Sequence, residues 1–62
     1  MQLHLKVGTL PQCVYQVNVR KPPKVGQVIH ARPINHGAKW FHCRVDEVKE
    51  SPALGVLYFV SL

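Results

Sequence analysis

The spacing of proline restricts this chain more than any other feature of its 62 residues. Proline occupies positions 11, 22, 23, 33 and 52, which leaves 34–51 as the one long proline-free window. Proline lacks a backbone donor and clashes with the preceding helical turn, so a long helix has room only in that window. Residues 40–45 instead alternate in polarity with the two-residue period of a strand. We therefore expect an all-β protein.

Composition supports the same fold class in one small domain, 1–62. Ten valines and two isoleucines outnumber three alanines and six leucines, and β-branched side chains pack well on a pleated sheet. A chain near 60 residues buries only about 60% of its unfolded surface. It has no room for a dinucleotide-binding unit, a barrel enzyme or a deep substrate cleft.

Alternating polarity and turn residues predict five strands. Leu3, Leu5 and Val7 share one face of the first strand, and the loop that ends at Pro11 leads into an antiparallel hairpin over 1–20. Cys13, Tyr15, Val17 and Val19 are the expected inward residues of the second strand. The predicted strands cover residues 2–7, 12–19, 27–32, 39–48 and 55–61.

Two local features refine the second half of the chain. Asn35, His36 and Gly37 predict a turn, because Asn and Gly tolerate positive φ. Val48 breaks the alternation of the fourth strand, which indicates a bulge near Asp46 and Glu47. Without a helix to cover a flat sheet, five short strands favour a bent antiparallel sheet closed as a small barrel.

Residues 24–60 resemble the Tudor family of SH3-like barrel modules. The matching segments are KVGQVIHAR at 24–32, Gly37 followed by KWFHCRV at 39–45, and VLYF at 56–59. The resemblance implies a five-stranded SH3-like barrel with a Tudor-like three-strand unit over 24–61, preceded by an added hairpin. We expect a stand-alone protein and not a fragment of a large reader.

The resemblance also implies a partial aromatic cage. Tudor modules that read methylated side chains surround a quaternary ammonium with aromatic rings, which attract it through their quadrupoles. Phe41 and Tyr58 match two cage positions, whereas Pro33 and Ser61 stand where further aromatics are expected. Half of the cage is therefore missing.

Charge is distributed unevenly along the chain. The net charge is +5, and residues 1–45 contain seven Lys and Arg residues but no acid. All three acids, Asp46, Glu47 and Glu50, lie in one short segment. An unbalanced basic field favours polyanions, although it is also compatible with a merely soluble surface.

The patterns that would indicate a metal or catalytic site are weak. His30 and His36 flank the predicted turn, but no Cys pair exists and His42 and Cys43 alternate to opposite faces. Cys13 and Cys43 are expected as free, packed thiols in a reducing, cytoplasmic setting, since no secretory signal or membrane span is present. We expect no enzyme activity, no metal and no cofactor.

The leading hypothesis is nucleic-acid binding, to RNA or single-stranded DNA, through a basic and aromatic face. Trp40 would stack a base, cations around it would hold phosphates, and His30 and His42 would hydrogen-bond. Whether Trp40 is exposed or folds into the core is left open. The candidate residues are Trp40, Arg44, Arg32, Lys39, His42, His30, Lys24, Lys21 and Arg20.

The alternative is a protein-interaction module or a homodimer that acts through strand edges or the partial cage. The last strand is apolar on both faces, and an uncovered edge of that kind would pair with a second copy, a peptide or the first strand. The residues for this alternative are Phe41, Tyr58, Val56 and Val60.

Overall fold

A computed structural model describes residues 1–34 and 39–62 of the chain. They form five strands and confirm the all-β prediction. The predicted turn at 35–37, including His36, lies outside the described residues. In the part of the chain that is described, no helix is long and apolar enough to cross a membrane. The strands are β1 (Gln2–Val7), β2 (Cys13–Val17), β3 (Val28–Pro33), β4 (Phe41–Ser51) and β5 (Gly55–Ser61).

The strands pair in chain order, and the sheet closes on itself through β1 and β5. The four consecutive pairs are antiparallel, as expected. The closing pair is parallel, with His4 opposite Leu57 and Val7 opposite Val60. Five strands that reverse direction at each turn leave the first and last running the same way, so the expected antiparallel order cannot extend to the closing pair.

The core lies inside this closed sheet and consists of side chains from all five strands. Leu5, Val17, Ile29 and Val45 are its largest fully buried members. The alternation predicted for β1 and β4 is confirmed, because Leu5, Val7, Cys43 and Val45 are buried. Cys13 keeps the predicted alternation, since it pairs with the buried Leu5, but its expected place as a packed thiol in the core is wrong: it begins β2 and is exposed.

The predicted irregularity in β4 is confirmed. The pairing of β4 with β5 shifts between Val45 and Glu47, which is where the alternation breaks in the sequence. Beyond the shift β4 continues to Ser51, three residues further than predicted, because it forms a hairpin with β5. Gly55 begins β5 with φ of 85°, a conformation that strongly favours glycine, and so ends the connecting turn.

Candidate nucleic-acid interface

The outer face of β3 and β4 brings together the polar residues that the sequence pattern grouped. His30 pairs with His42, and Val28 pairs with Arg44, in the antiparallel register. Ile29 and Cys43, which lie between them, point into the core. Alternation along both strands therefore places the two histidines and Arg44 on one outer surface.

Trp40 lies at one end of this surface, just before β4 begins, and its side chain is not part of the core. It is 42% exposed. The guanidinium carbon of Arg32 lies 4.8 Å from the centroid of the Trp40 ring, within the range of a cation–π contact. The contact holds Arg32 against the indole and leaves the ring partly open to a ligand.

The middle of the surface is formed by the two histidines and by Asn18, which follows β2. The imidazole rings of His30 and His42 lie 4.2 Å apart, centroid to centroid. The backbone N–H of His30 donates to Oδ1 of Asn18 at 2.9 Å, and the backbone N–H of Asn18 donates to the His30 carbonyl at 3.1 Å. Asn18 is thus joined to His30 by one backbone–backbone bond and by one bond to its own side-chain oxygen.

These bonds determine which way the Asn18 amide points. Because Oδ1 accepts from a backbone N–H, the group 3.0 Å from Nδ1 of His30 is the Nδ2 amine of Asn18, which can only donate. The Nδ1 atom of His30 therefore accepts, and its Nε2 carries the proton in the neutral ring. His30 presents an N–H donor to whatever approaches this surface.

The same arrangement opposes metal binding by the histidine pair. A histidine that ligates a metal through Nε2 donates its other N–H to an acceptor, and here Nδ1 faces a donor. Among the described residues there is no group of three or more His, Cys, Asp or Glu side chains placed to hold a metal ion.

The remaining candidate cations lie at two ends of this surface. Lys39 is next to Trp40 and exposed, whereas Arg44 lies further along β4 and forms an exposed ion pair with Asp46 at 3.3 Å. The other three candidate cations, Arg20, Lys21 and Lys24, line a cleft of about 460 Å³ in the connection between β2 and β3. That connection is bonded to β4 through the N–H of Gly26, which donates to the Val45 carbonyl at 2.7 Å.

Comparison with models of protein families, with curated proteins and with solved structures finds no match for this chain.

The residues grouped for the alternative function do not form one surface. Tyr58 is 4% exposed and packs in the core with Val60, so neither side chain is available to a partner in this fold. Phe41 is half-buried and faces Tyr15, whereas Val56 is exposed in the β4–β5 hairpin. Both edges of β5 are already paired, one with β4 and one with β1, so this strand has no free edge for a partner along its paired residues.

The sequence pattern did not indicate the contacts that two residues, Asn18 and Tyr15, make near the site. Asn18 follows β2 in the sequence and looks like an ordinary polar residue until its contacts with β3 are known. Tyr15 was expected only as a core residue, yet its ring meets Phe41 edge to face at 6.0 Å. Burial, together with a hydrogen bond to Cys13, raises the pKa of Tyr15 to about 12.

Proposed function

We propose that this protein binds single-stranded nucleic acid, RNA or DNA, without catalysing a reaction, through the outer face of β3 and β4. The observation that carries the proposal is Trp40, which is 42% exposed and lies against the guanidinium of Arg32. Proteins that bind single strands combine aromatic platforms, on which bases stack, with cations that follow the backbone. The closed five-stranded sheet also supports the proposal that the chain forms an SH3-like barrel, with residues 24–60 as its Tudor-like part.

The distribution of charge supports the same proposal. All three acids follow residue 45, and Asp46 is six residues beyond Trp40 along the chain, about 20 Å at the rise of an extended strand. Arg32 lies against the indole and Lys39 precedes Trp40 in the chain, and no carboxylate is nearby in sequence. A phosphate backbone would be attracted to this end of the sheet.

The donors in the middle of the surface suit phosphate or base oxygens. Nε2–H of His30 can donate to a phosphate or base oxygen. A strand that runs from Trp40 toward Arg44 would pass over both histidines. The contact would cover about four positions of β4, or roughly 13 Å.

The protein contains a matched control for the central contact. Lys49 on β4 lies 5.5 Å from the centroid of the Phe59 ring on β5, and the two form a second cation–aromatic pair. That pair is close to acids, since Glu47 pairs with Phe59 in the register. If aromatic rings and cations acted nonspecifically, both pairs would contribute equally to binding.

The test is fluorescence anisotropy of a labelled mixed-sequence oligonucleotide, titrated with the protein and its variants at low and physiological salt. Base stacking on an aromatic ring is worth about 1–3 kcal/mol, so Trp40→Leu should weaken binding by roughly 5- to 150-fold. Phe59→Leu should leave the affinity unchanged. Equal effects of the two substitutions, or no binding by the native protein at low salt, would overturn the proposal.

A further inference from the structure

A second aromatic feature lies beside Trp40 and is not part of the outer surface described above. It is a cleft of about 280 Å³ at the end of the closed sheet. Pro33 and Phe41 line the cleft, and they are the chain neighbours of Arg32 and Trp40. The cleft therefore opens at the same end of the sheet as the Arg32–Trp40 contact. The described residues that complete its lining are Val7, Leu10, Tyr15, Lys39 and Leu62.

The walls of the cleft are held in place before any ligand arrives. The rings of Tyr15 and Phe41 meet edge to face, 6.0 Å apart with an angle of 81° between their planes. The turn that carries Leu10 is closed by its N–H, which donates to the Val7 carbonyl at 3.0 Å. Nζ of Lys6 also donates to the Gly8 and Leu10 carbonyls. A preformed site of this kind loses little conformational entropy on binding.

The charge at the cleft determines which ligands it favours. In the part of the lining that the structure describes, Lys39 is the one charged side chain, and it is positive. A quaternary ammonium would be repelled by Lys39, and no Asp or Glu side chain lies among these lining residues to attract it. The cleft therefore does not suit the methylated cations that an aromatic cage attracts. It suits a neutral, flat aromatic ring that presents its apolar face to the lining and is joined to an anion.

We propose that this cleft receives one unstacked nucleobase of the bound strand, while Lys39 contacts the adjoining phosphate. The proposal rests on the nucleic-acid binding proposed above and adds a second base position to it, next to the base stacked on Trp40. Pockets for drug-sized ligands measure roughly 300–1,000 Å³, so a cleft of about 280 Å³ suits a smaller group such as a single ring system. Base and phosphate together match its apolar lining and its positive rim.

The test uses four-nucleotide single-stranded DNAs in which each base in turn is replaced by an abasic site, with anisotropy as the readout. Two positions should lose affinity in the native protein, each by about 5- to 150-fold. Leu10 is 56% exposed, so Leu10→Trp should narrow the cleft without disturbing the core. In this variant an abasic site at one of the two positions should no longer lower the affinity, because the base that used the cleft no longer contributes. In Trp40→Leu an abasic site at the other position should no longer lower it.

Val56→Trp is the matched control, since Val56 is also an exposed apolar residue and lies in the β4–β5 hairpin. This variant should retain both abasic effects. A different result is that the native protein loses affinity for an abasic site at one position alone, and that this effect is abolished by Trp40→Leu and unchanged by Leu10→Trp. That result would overturn the cleft proposal while leaving the proposed function intact. No binding of any oligonucleotide would overturn both.

Sedimentation of the same variants tests the other occupant of an apolar cleft, a second copy of the chain. If the native protein self-associates and Leu10→Trp makes it monomeric without altering the abasic pattern, the cleft is a contact between copies, and the nucleobase proposal is wrong. A single sedimenting species for both proteins, together with the expected abasic pattern, supports the nucleobase.

Discussion

Asn18 holds His30 at two points, its Oδ1 accepting from the backbone N–H at 2.9 Å and its Nδ2 lying 3.0 Å from ring Nδ1. The first bond orients the amide, and the second determines the tautomer of the imidazole. A residue outside the regular strands thus decides which hydrogen-bonding group His30 presents on the outer face of β3.

The tautomer of His30 is therefore a direct prediction. Nitrogen-15 NMR, at a pH where the His30 imidazole is uncharged, should find the ring proton on Nε2. Asn18→Asp replaces the donor with a carboxylate oxygen, so the proton should move to Nδ1. His4, on β1, is the control and should keep its signals in both proteins. A His30 ring with its proton on Nδ1 in the native protein would contradict the assigned contacts.

Arg32 should be less tolerant of replacement by lysine than Arg44. A planar guanidinium can also stack on an indole, which an ammonium cannot, so Arg32→Lys keeps the charge but weakens the contact with Trp40. Arg44 forms an exposed ion pair with Asp46, which contributes little, and Arg44→Lys should bind almost as well as the native protein. Affinity for an oligonucleotide at several salt concentrations measures both effects. The salt slope should stay the same in both variants, since neither changes the number of cations.

The two thiols should differ strongly in reactivity. Cys13 is exposed, whereas Cys43 is buried, and burial raises the pKa of the Cys43 thiol above its usual value. The thiolate is the reactive form, so Cys43 should react only when the sheet opens. A thiol reagent should modify one cysteine quickly at neutral pH, and peptide mapping should identify it as Cys13. Rapid modification of Cys43 in the folded protein would contradict its placement in the core.

Tyr15 should make the protein lose stability in alkaline solution. Its pKa rises from 10.0 to about 12 in the folded protein, so the folded state keeps this proton when the unfolded state has released it. The stabilising contribution is complete below pH 10 and decreases between about pH 10 and pH 12. Urea unfolding across this range measures the slope. Tyr15→Phe removes the titrating group and should show a smaller decrease than the native protein.

Adjacent residues of β3 should differ in their effect on folding. Ile29 is fully buried, so Ile29→Val should lower the free energy of unfolding by about 0.5–1.5 kcal/mol. Val28 is 61% exposed, and Val28→Ala should change the free energy of unfolding by no more than about 0.5 kcal/mol. Urea unfolding measures both. Equal losses would mean that β3 does not alternate as described.

Local patterns were sufficient for the strands and for the faces they present. The predicted bounds of β1 and β5 agree with the structure, and the break at Val48 indicated the bulge. These features follow from the two-residue period of side chains along a strand, which depends only on neighbouring residues. The same period correctly separated His42 from Cys43. It was wrong for Cys13, because a residue at the start of a strand can follow the alternation and still lie beyond the edge of the core.

The sequence by itself therefore determined the all-β class, the alternation of β3 and β4, and the unequal charge along the chain. Only the tertiary structure decided that β1 closes against β5, that Tyr58 is buried while Tyr15 meets Phe41, and that Asn18 orients His30. Each of these contacts joins residues far apart in the chain. Which strand edges and ends meet depends on how the whole sheet twists and closes, and no local period encodes that.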